Sequence, residues 1–323
     1  MIDEFLADPA RFEVADAADV YPRLRLFPDD EIARWHDTRR AAIAGAPGLV
    51  TVRDDRGLAA FATIRELPSD SKAFGLEIGA IDVVGVRRED LDRRMAALGT
   101  LTSAIRERHT ERGSLLTMLV DLDRPAVTEA MQAAGALVAG GNLTWTCRVD
   151  QLDESLLAAP PRLTEDEYSG DEPELLEAVA AAYATYRSHY HADSRLTGAD
   201  GASPYVESIG RHVANGGEVA LLRTSSGAIA GFSTLDPHAA FNDAVERLAV
   251  TEIGTSGVVP AARESGVYEA SLLQGLRRFA ADGYEAVVFG CTADNFAVQS
   301  TWIRIGRFRP RRFCFRLHWW PAG

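Results

Sequence analysis

At 323 residues, with 46% hydrophobic and 25% charged residues, the chain is long enough for two domains of ordinary size and has a globular make-up. Its formal charge of −13 opposes nonspecific binding to nucleic acid or an anionic membrane, and no apolar run approaches the roughly 18 residues of a membrane helix. Three scattered cysteines without a CxxC (Cys147, Cys291, Cys314) argue against a disulfide framework or zinc site, and the acidic start Met1-Ile2-Asp3-Glu4-Phe5 shows no export signal, so a reducing cytoplasm is expected.

In chain order, residues 30–44 have the helical spacing of Ile32, Trp35 and Ile43. Residues 49–52 and 58–64 read as strands joined by a tight turn at Asp54-Asp55-Arg56-Gly57. A strand over 78–86, a long helix over 89–112 closed by Gly113, and a buried strand over 115–120 follow. A short helix over 125–134 and a strand over 137–149 complete the first half. Residues 150–173 read as a connector, with Pro160-Pro161 and the acidic cluster Glu165, Asp166, Glu167, Asp171 and Glu172.

The same order then returns. Helices are expected over 174–189 and 204–214, and a hairpin over 219–222 and 229–235 turning at Ser225-Ser226-Gly227. A strand over 249–259, a helix over 265–281 closed by Gly283, a strand over 286–291, a helix over 297–305 and a strand over 309–319 end the chain. Single residues repeat in the same order. The run from Gly57 to Ile64 matches that from Gly227 to Leu235, Glu77-Ile78-Gly79 matches Glu252-Ile253-Gly254, and Ala126-Val127 with Gly135 matches Ala297-Val298 with Gly306. The sequence therefore reads as two copies of one α/β unit, residues 1–150 and 173–323, joined by 151–172.

The chemistry concentrates in the second copy. Arg263-x-x-Gly266 lies between a strand and an amphipathic helix, so glycine admits close backbone approach and the amides from 264 to 268 open the helix unpaired. Free amides at the positive end of a helix form an anion site. Glu252, on the preceding strand, suits a general base for an attacking ammonium, or else a strand-edge carboxylate facing water. Thr255-Ser256-Gly257 weakens that strand and points to a bulge. His189, His191, Asp193 and Arg195 read either as substrate contacts on a loop tip or as a cationic helix end. The two histidines, two residues apart, do not share a helix face and do not make a metal pair. Arg304, Arg307, Arg309, Arg311, Arg312 and Arg316 gather positive charge near the C-terminus, as a solvated face or as an anion-attracting rim. No GxGxxG after a strand, Walker A lysine, GxSxG or HExxH occurs.

At these residues the sequence resembles the GNAT acyltransferase superfamily. Its Arg/Gln-x-x-Gly-x-Gly/Ala pyrophosphate pattern reads here Arg263-Glu264-Ser265-Gly266-Val267-Tyr268. The run from Asn295 through Trp302 to Gly306 and Phe308 is similar to the family's terminal segment, and Glu252 falls where several members place their base. The resemblance implies two tandem GNAT-like domains, each a mixed, mostly antiparallel sheet flanked by helices. It also implies acyl-CoA, acetyl-CoA foremost, as co-substrate with no metal, and a small-molecule amine as acceptor. Backbone of Gly257, Val258 and Val259 would pair with pantetheine, and Asn295 and Trp302 would complete the coenzyme site. Within the superfamily, His189 to Leu196, Gly266 to Tyr268 and Ala297 to Trp302 look most like dTDP-fucosamine-type amino-sugar N-acetyltransferases.

Two departures stand out. Trp302 holds the place where many members have an acid tyrosine, and an indole cannot supply a proton, which leaves Tyr268 as the substitute. In the first copy Leu91 replaces the cradle glycine, and Arg124 and Met131 replace Asn295 and Trp302. That copy is expected to have lost coenzyme binding and to act as a scaffold or cleft wall. A mycothiol-synthase-like tandem enzyme and a non-catalytic acyl-CoA sensor are the other readings, and a homodimer is compatible with each.

Overall fold

A computed structural model describes residues 2–109, 114–152, 163–170, 172–196, 201–263 and 265–322. The first half runs α1 (Asp3–Ala7), β1 (Phe12–Asp16), α2 (Tyr21–Leu24), α3 (Asp29–Ala44), β2 (Leu49–Asp54), β3 (Gly57–Glu66), α4 (Pro68–Phe74), β4 (Ile78–Arg87), α5 (Leu91–His109), β5 (Leu115–Asp121), α6 (Pro125–Ala133) and β6 (Leu137–Arg148). The second runs β7 (Thr164–Glu167), α7 (Glu172–Tyr183), α8 (Ser203–Ala214), β8 (Glu218–Arg223), β9 (Ile229–Pro237), α9 (Ala239–Val245), β10 (Val250–Val258), α10 (Val267–Asp282), β11 (Ala286–Thr292), α11 (Phe296–Ile305) and β12 (Arg309–Trp319). The expected core elements are present, most displaced by one or two residues.

Two elements differ from expectation. The helix expected over 174–189 stops at Tyr183, and His189–Ala192 forms a separate 3-10 turn. Ser188 caps that turn reciprocally with His191, while the Arg263 guanidinium takes the Ala182 carbonyl at the end of α7. The acidic stretch Thr164–Glu167, expected as connector, pairs with β8 as an edge strand. The expected connector residues 153–162 and 171, together with Arg112 and Gly113, lie outside the described residues.

All twelve strands join one sheet in the order β2-β3-β4-β5-β12-β6-β11-β10-β9-β8-β7, with β1 on β4. Among the described residues, only β4–β5 and β10–β11 are parallel pairs. The two halves exchange their last strands: β6 lies against β11, and β12 lies against β5. Side chains follow the exchange. Leu317 and Trp319 of β12 fill the core beneath α5 and α6, with Ile81, Leu101 and Met118. Trp145 and Cys147 of β6 fill the core beneath α10 and α11, with Ile253, Leu276 and Phe289. Each core is thus completed by a strand from the other half, and burying a tryptophan this way contributes on the order of 3 kcal/mol. The three cysteines are buried, and burial pushes each thiol up to about 12, so none is poised to react.

Candidate active site

The site begins where two parallel strands part. β10 ladders with β11 only through residues 250–253 against 286–289. A register break between Ile253 and Ser256 then bends β10 while it keeps its pairing with β9. A Cβ on Gly254 would lie 2.5 Å from Asp236 Oδ2, so glycine lets the Asp236 side chain sit against the bend. β11 turns instead to β6, which it follows as far as Thr292. A gap opens between the two strands.

Backbone direction within the gap follows from one bond. The Val259 N–H donates to Ala230 O on the β9 side, so strand alternation turns the N–H and C=O of Val258 into the gap. Of the three residues expected to meet pantetheine, Val258 therefore faces the opening, while Gly257 and Val259 face β9. The Ser256 carbonyl, on the gap side, accepts from the Tyr183 hydroxyl at 2.7 Å. Tyr183 stacks on Tyr205, with centroids 3.8 Å apart, and Tyr186 packs edge-on against both.

The opening leads to the start of α10. Gly266 takes φ +77°, which a side chain would strain, and no side chain caps the helix. The Ala270 N–H donates to Gly266 O, and the amides of Val267, Tyr268 and Glu269 have no acceptor among the described residues. Ser265 Oγ donates to Ala262 O at 2.5 Å, and Glu264 lies outside the described residues. The Arg263 guanidinium reaches back to Ala182 O (2.8 Å) and Thr185 (3.3 Å), so it ties the cradle to α7.

Glu252 is half-buried, and its Oε2 lies 3.1 Å from His238 Nε2. His238 Nδ1 in turn lies 2.9 Å from the Tyr21 hydroxyl. The carboxylate is therefore positioned by a chain that ends in the first half of the sequence. Burial, with the Glu252 charge behind it, raises the Tyr21 pKa and keeps that phenol protonated beside His238 Nδ1. Neither Tyr21 nor His238 carried a signal in the sequence, because 217 residues separate them.

Trp302 is 2% exposed and packs with Trp145, Phe289 and Phe308 in the core. Its role at the gap is indirect: the indole N–H donates to the Tyr268 hydroxyl at 3.0 Å. Tyr268 is thereby held between Trp302 and Ser256, at the gap, and burial raises its pKa. Asn295 caps α11 through Val298 N–H.

The residues expected to touch substrate divide. His191 is exposed and turned to its own cap, with Nδ1 accepting from Ser188 N–H. Asp193 is 2% exposed and receives Arg195, Trp320 (2.8 Å) and His318. Burial works against its ionisation, but the hydrogen bonds from Arg195 and Trp320 prevail and hold its pKa down to about 2. Arg195 also lies over the Trp320 ring. These two are anchors. His189 reaches inward, with Nδ1 2.7 Å from His318 Nε2. Burial, partly offset by Asp193, holds His318 at about 4, and burial with the charge of Arg316 nearby lowers His189 well below its usual range. Both imidazoles are neutral near pH 7. Between these groups the sheet face is open: Gly290 is exposed in mid-sheet, and Asn142, Thr144, Thr292 and Arg316 are partly exposed around it.

No family model and no curated protein matches the sequence. Solved structures do match. A tandem GNAT protein from the clavulanic acid biosynthesis pathway shares 16% identity over 97% of this chain and 99% of its own, with a TM-score of 0.55. The fold is a tandem GNAT fold. A GCN5-related N-acetyltransferase from Sphaerobacter thermophilus shares 15% over 98% and 97%, with a TM-score of 0.60. The fungal multi-domain GH3 β-N-acetylglucosaminidase, with its GCN5-related glucosamine N-acetyltransferase region, shares 13% over 95% of this chain and 38% of its own, with a TM-score of 0.62. At these identities the likeness is one of fold.

Proposed function

We propose that the second half of this chain transfers the acyl group of an acyl-CoA, acetyl-CoA foremost, to the amine of a small metabolite such as an amino sugar. The observation that carries this reading is the bulged, splayed edge of β10 leading to the uncapped start of α10 within a tandem GNAT fold. The amides of Val267 to Glu269 suit a pyrophosphate, and Val258 suits the pantetheine amides as an added strand would. Glu252, directly or through water, takes a proton from the ammonium. The amine nitrogen then bonds to the thioester carbonyl carbon, the strand N–H near Val258 steadies the oxyanion, and the C–S bond breaks. Tyr268, protonated and beside the gap, passes its proton to the leaving thiolate and regains one from the attacking nitrogen, which sheds its second proton as the amide forms. The acceptor follows from the resemblance of residues 189–196 to amino-sugar enzymes, and from a fold neighbour named for a glucosamine N-acetyltransferase region.

Release of free thiol from acetyl-CoA across a panel of amino sugars, amino acids and cysteinyl amines tests the reading. Saturable release with one class supports it, and a cysteinyl acceptor would indicate the mycothiol-synthase-like version. Saturable binding without release for any amine would indicate an acyl-CoA sensor, which the burial of Trp302 in place of an acid tyrosine favours. Absence of coenzyme binding would overturn all three.

A further inference from the structure

Two arginines on β12 differ in a way that bears on the acceptor. Arg312 is buried and fully partnered: it pairs with Asp121 at 2.6 Å and donates to the carbonyls of Asp16 and Ala17. Arg316, four residues on and on the same sheet face, has no ion pair or hydrogen bond among the described residues, and its Nε is sealed from solvent. Asp70, an acid whose charge acts on Arg316, is engaged by the Tyr190 hydroxyl at 2.6 Å. His189, beside it, is neutral, and Tyr190 and Tyr205 complete the wall. Burial lowers the Arg316 pKa, while the residue stays partly exposed on the open floor. An unpaired charge in such a place is costly to the fold unless an anion arrives to match it.

Register sets the distance from the reaction. Arg316 pairs with Gly140 on β6, and Asn142, two residues along, pairs with Thr292 at the gap. Two strands across and two residues along correspond to about 12 Å. The face between them is the open, polar floor around Gly290 and Asn142, whose Oδ1 is also without a partner.

Resting on the acyl-transfer reading above, we infer that Arg316 receives an anionic group of the acceptor, a phosphate or a carboxylate, set on the order of 10 Å from the reacting nitrogen. A planar guanidinium offers either oxyanion two parallel hydrogen bonds, and desolvation strengthens them. An α-amino acid, with its carboxylate two bonds from the amine nitrogen, does not span this distance.

The test compares aminohexyl phosphate, aminoheptanoate and aminohexanol as acceptors for the intact protein at saturating acetyl-CoA. KM for at least one anionic amine is expected to be about tenfold or more below that of the alcohol, with the two anionic arms separating phosphate from carboxylate. Arg316→Gln should erase the preference and Arg316→Lys should keep part of it. Equal KM values, or a preference that survives Arg316→Gln, would overturn the inference. If none of the three is acylated, calorimetric binding of the same compounds decides independently. Arg316-dependent binding of an anionic compound upholds the site while the transfer reading fails, and binding by neither protein overturns it. Thermal melting checks folding: Arg316→Gln should melt no lower than the parent, and a large fall would make Arg316 a structural residue.

Discussion

The two halves of this chain build the same strand splay and finish it in opposite ways. In the second half, β10 and β11 part after residue 253 and the edge at Val258 faces open space. In the first half, β4 and β5 part after a ladder of the same length, but β1 lies along residues 83–87 of β4 in antiparallel register. The chain's own N-terminal strand takes the hydrogen bonds that an extended ligand would otherwise take. The helix starts differ likewise. Asp90 puts a carboxylate on the first turn of α5, accepting from Arg93 N–H at 3.0 Å, where Gly266 leaves α10 uncapped. Arg88, the counterpart of Arg263, clamps β1 through Phe12 O at 3.1 Å. In the first half the slot is thus occupied by the chain's own strand, and Leu91 stands where the second half has Gly266.

The exchanged strands are the feature whose disruption should have the largest effect. Trp319→Ala removes a tryptophan that the second half lends to the first-half core, and a loss of about 3–5 kcal/mol is expected in denaturant unfolding. A loss under about 1 kcal/mol would mean that β12 contributes little to that core. Next in size, Glu252→Gln should lower turnover roughly 100-fold or more and flatten the rise of rate with pH, while acetyl-CoA affinity stays within about twofold. An unchanged pH profile removes Glu252 from the role of base.

Proton linkage separates the halves by sign. His318, buried and held at about 4 against an ordinary 6.5, stays neutral in the fold, so the unfolded chain binds more protons between those values. The stability it contributes is full above pH 6.5 and falls by up to about 3 kcal/mol as the pH drops toward 4. His36 in the first half is raised by its hydrogen bond to Asp19, so its contribution is present below 6.5 and fades as the pH rises through the raised pKa. Urea midpoints from pH 4 to 8 should show the first slope shrink in His318→Gln, leaving the part of the same sign that buried His189 contributes, and persist undiminished in His36→Gln. A smaller effect should follow from giving the second cradle the first one's sequence: Ser265→Asp with Gly266→Leu is expected to weaken acetyl-CoA binding about tenfold to 100-fold by calorimetry.

Much of this was legible in the sequence, because periodicity and turn residues report local structure. The expected bounds of β12 coincide with those observed, and the bulge foreseen from Thr255-Ser256-Gly257 appears just before Ser256. What was not legible is non-local. Alternation in residues 137–149 and 309–319 identifies strands but carries no record of their partners, so the exchange of β6 and β12 was hidden. β1 is five residues long, too short to stand out by pattern, although it decides the fate of the first slot. Trp302 was read by its place in a motif, while its burial depends on Trp145, supplied by the other half. Tyr21, His238 and Arg316 gain meaning only from neighbours distant in sequence.

The most direct measurement is the stoichiometry of acetyl-CoA binding by calorimetry in the parent, in Leu91→Gly, and in the Ser265→Asp, Gly266→Leu variant. One coenzyme per chain is expected in the parent and in Leu91→Gly, with binding weakened in the cradle variant. Two per chain, or a single site indifferent to the cradle changes at residues 265 and 266, would contradict a lone open site in the second half.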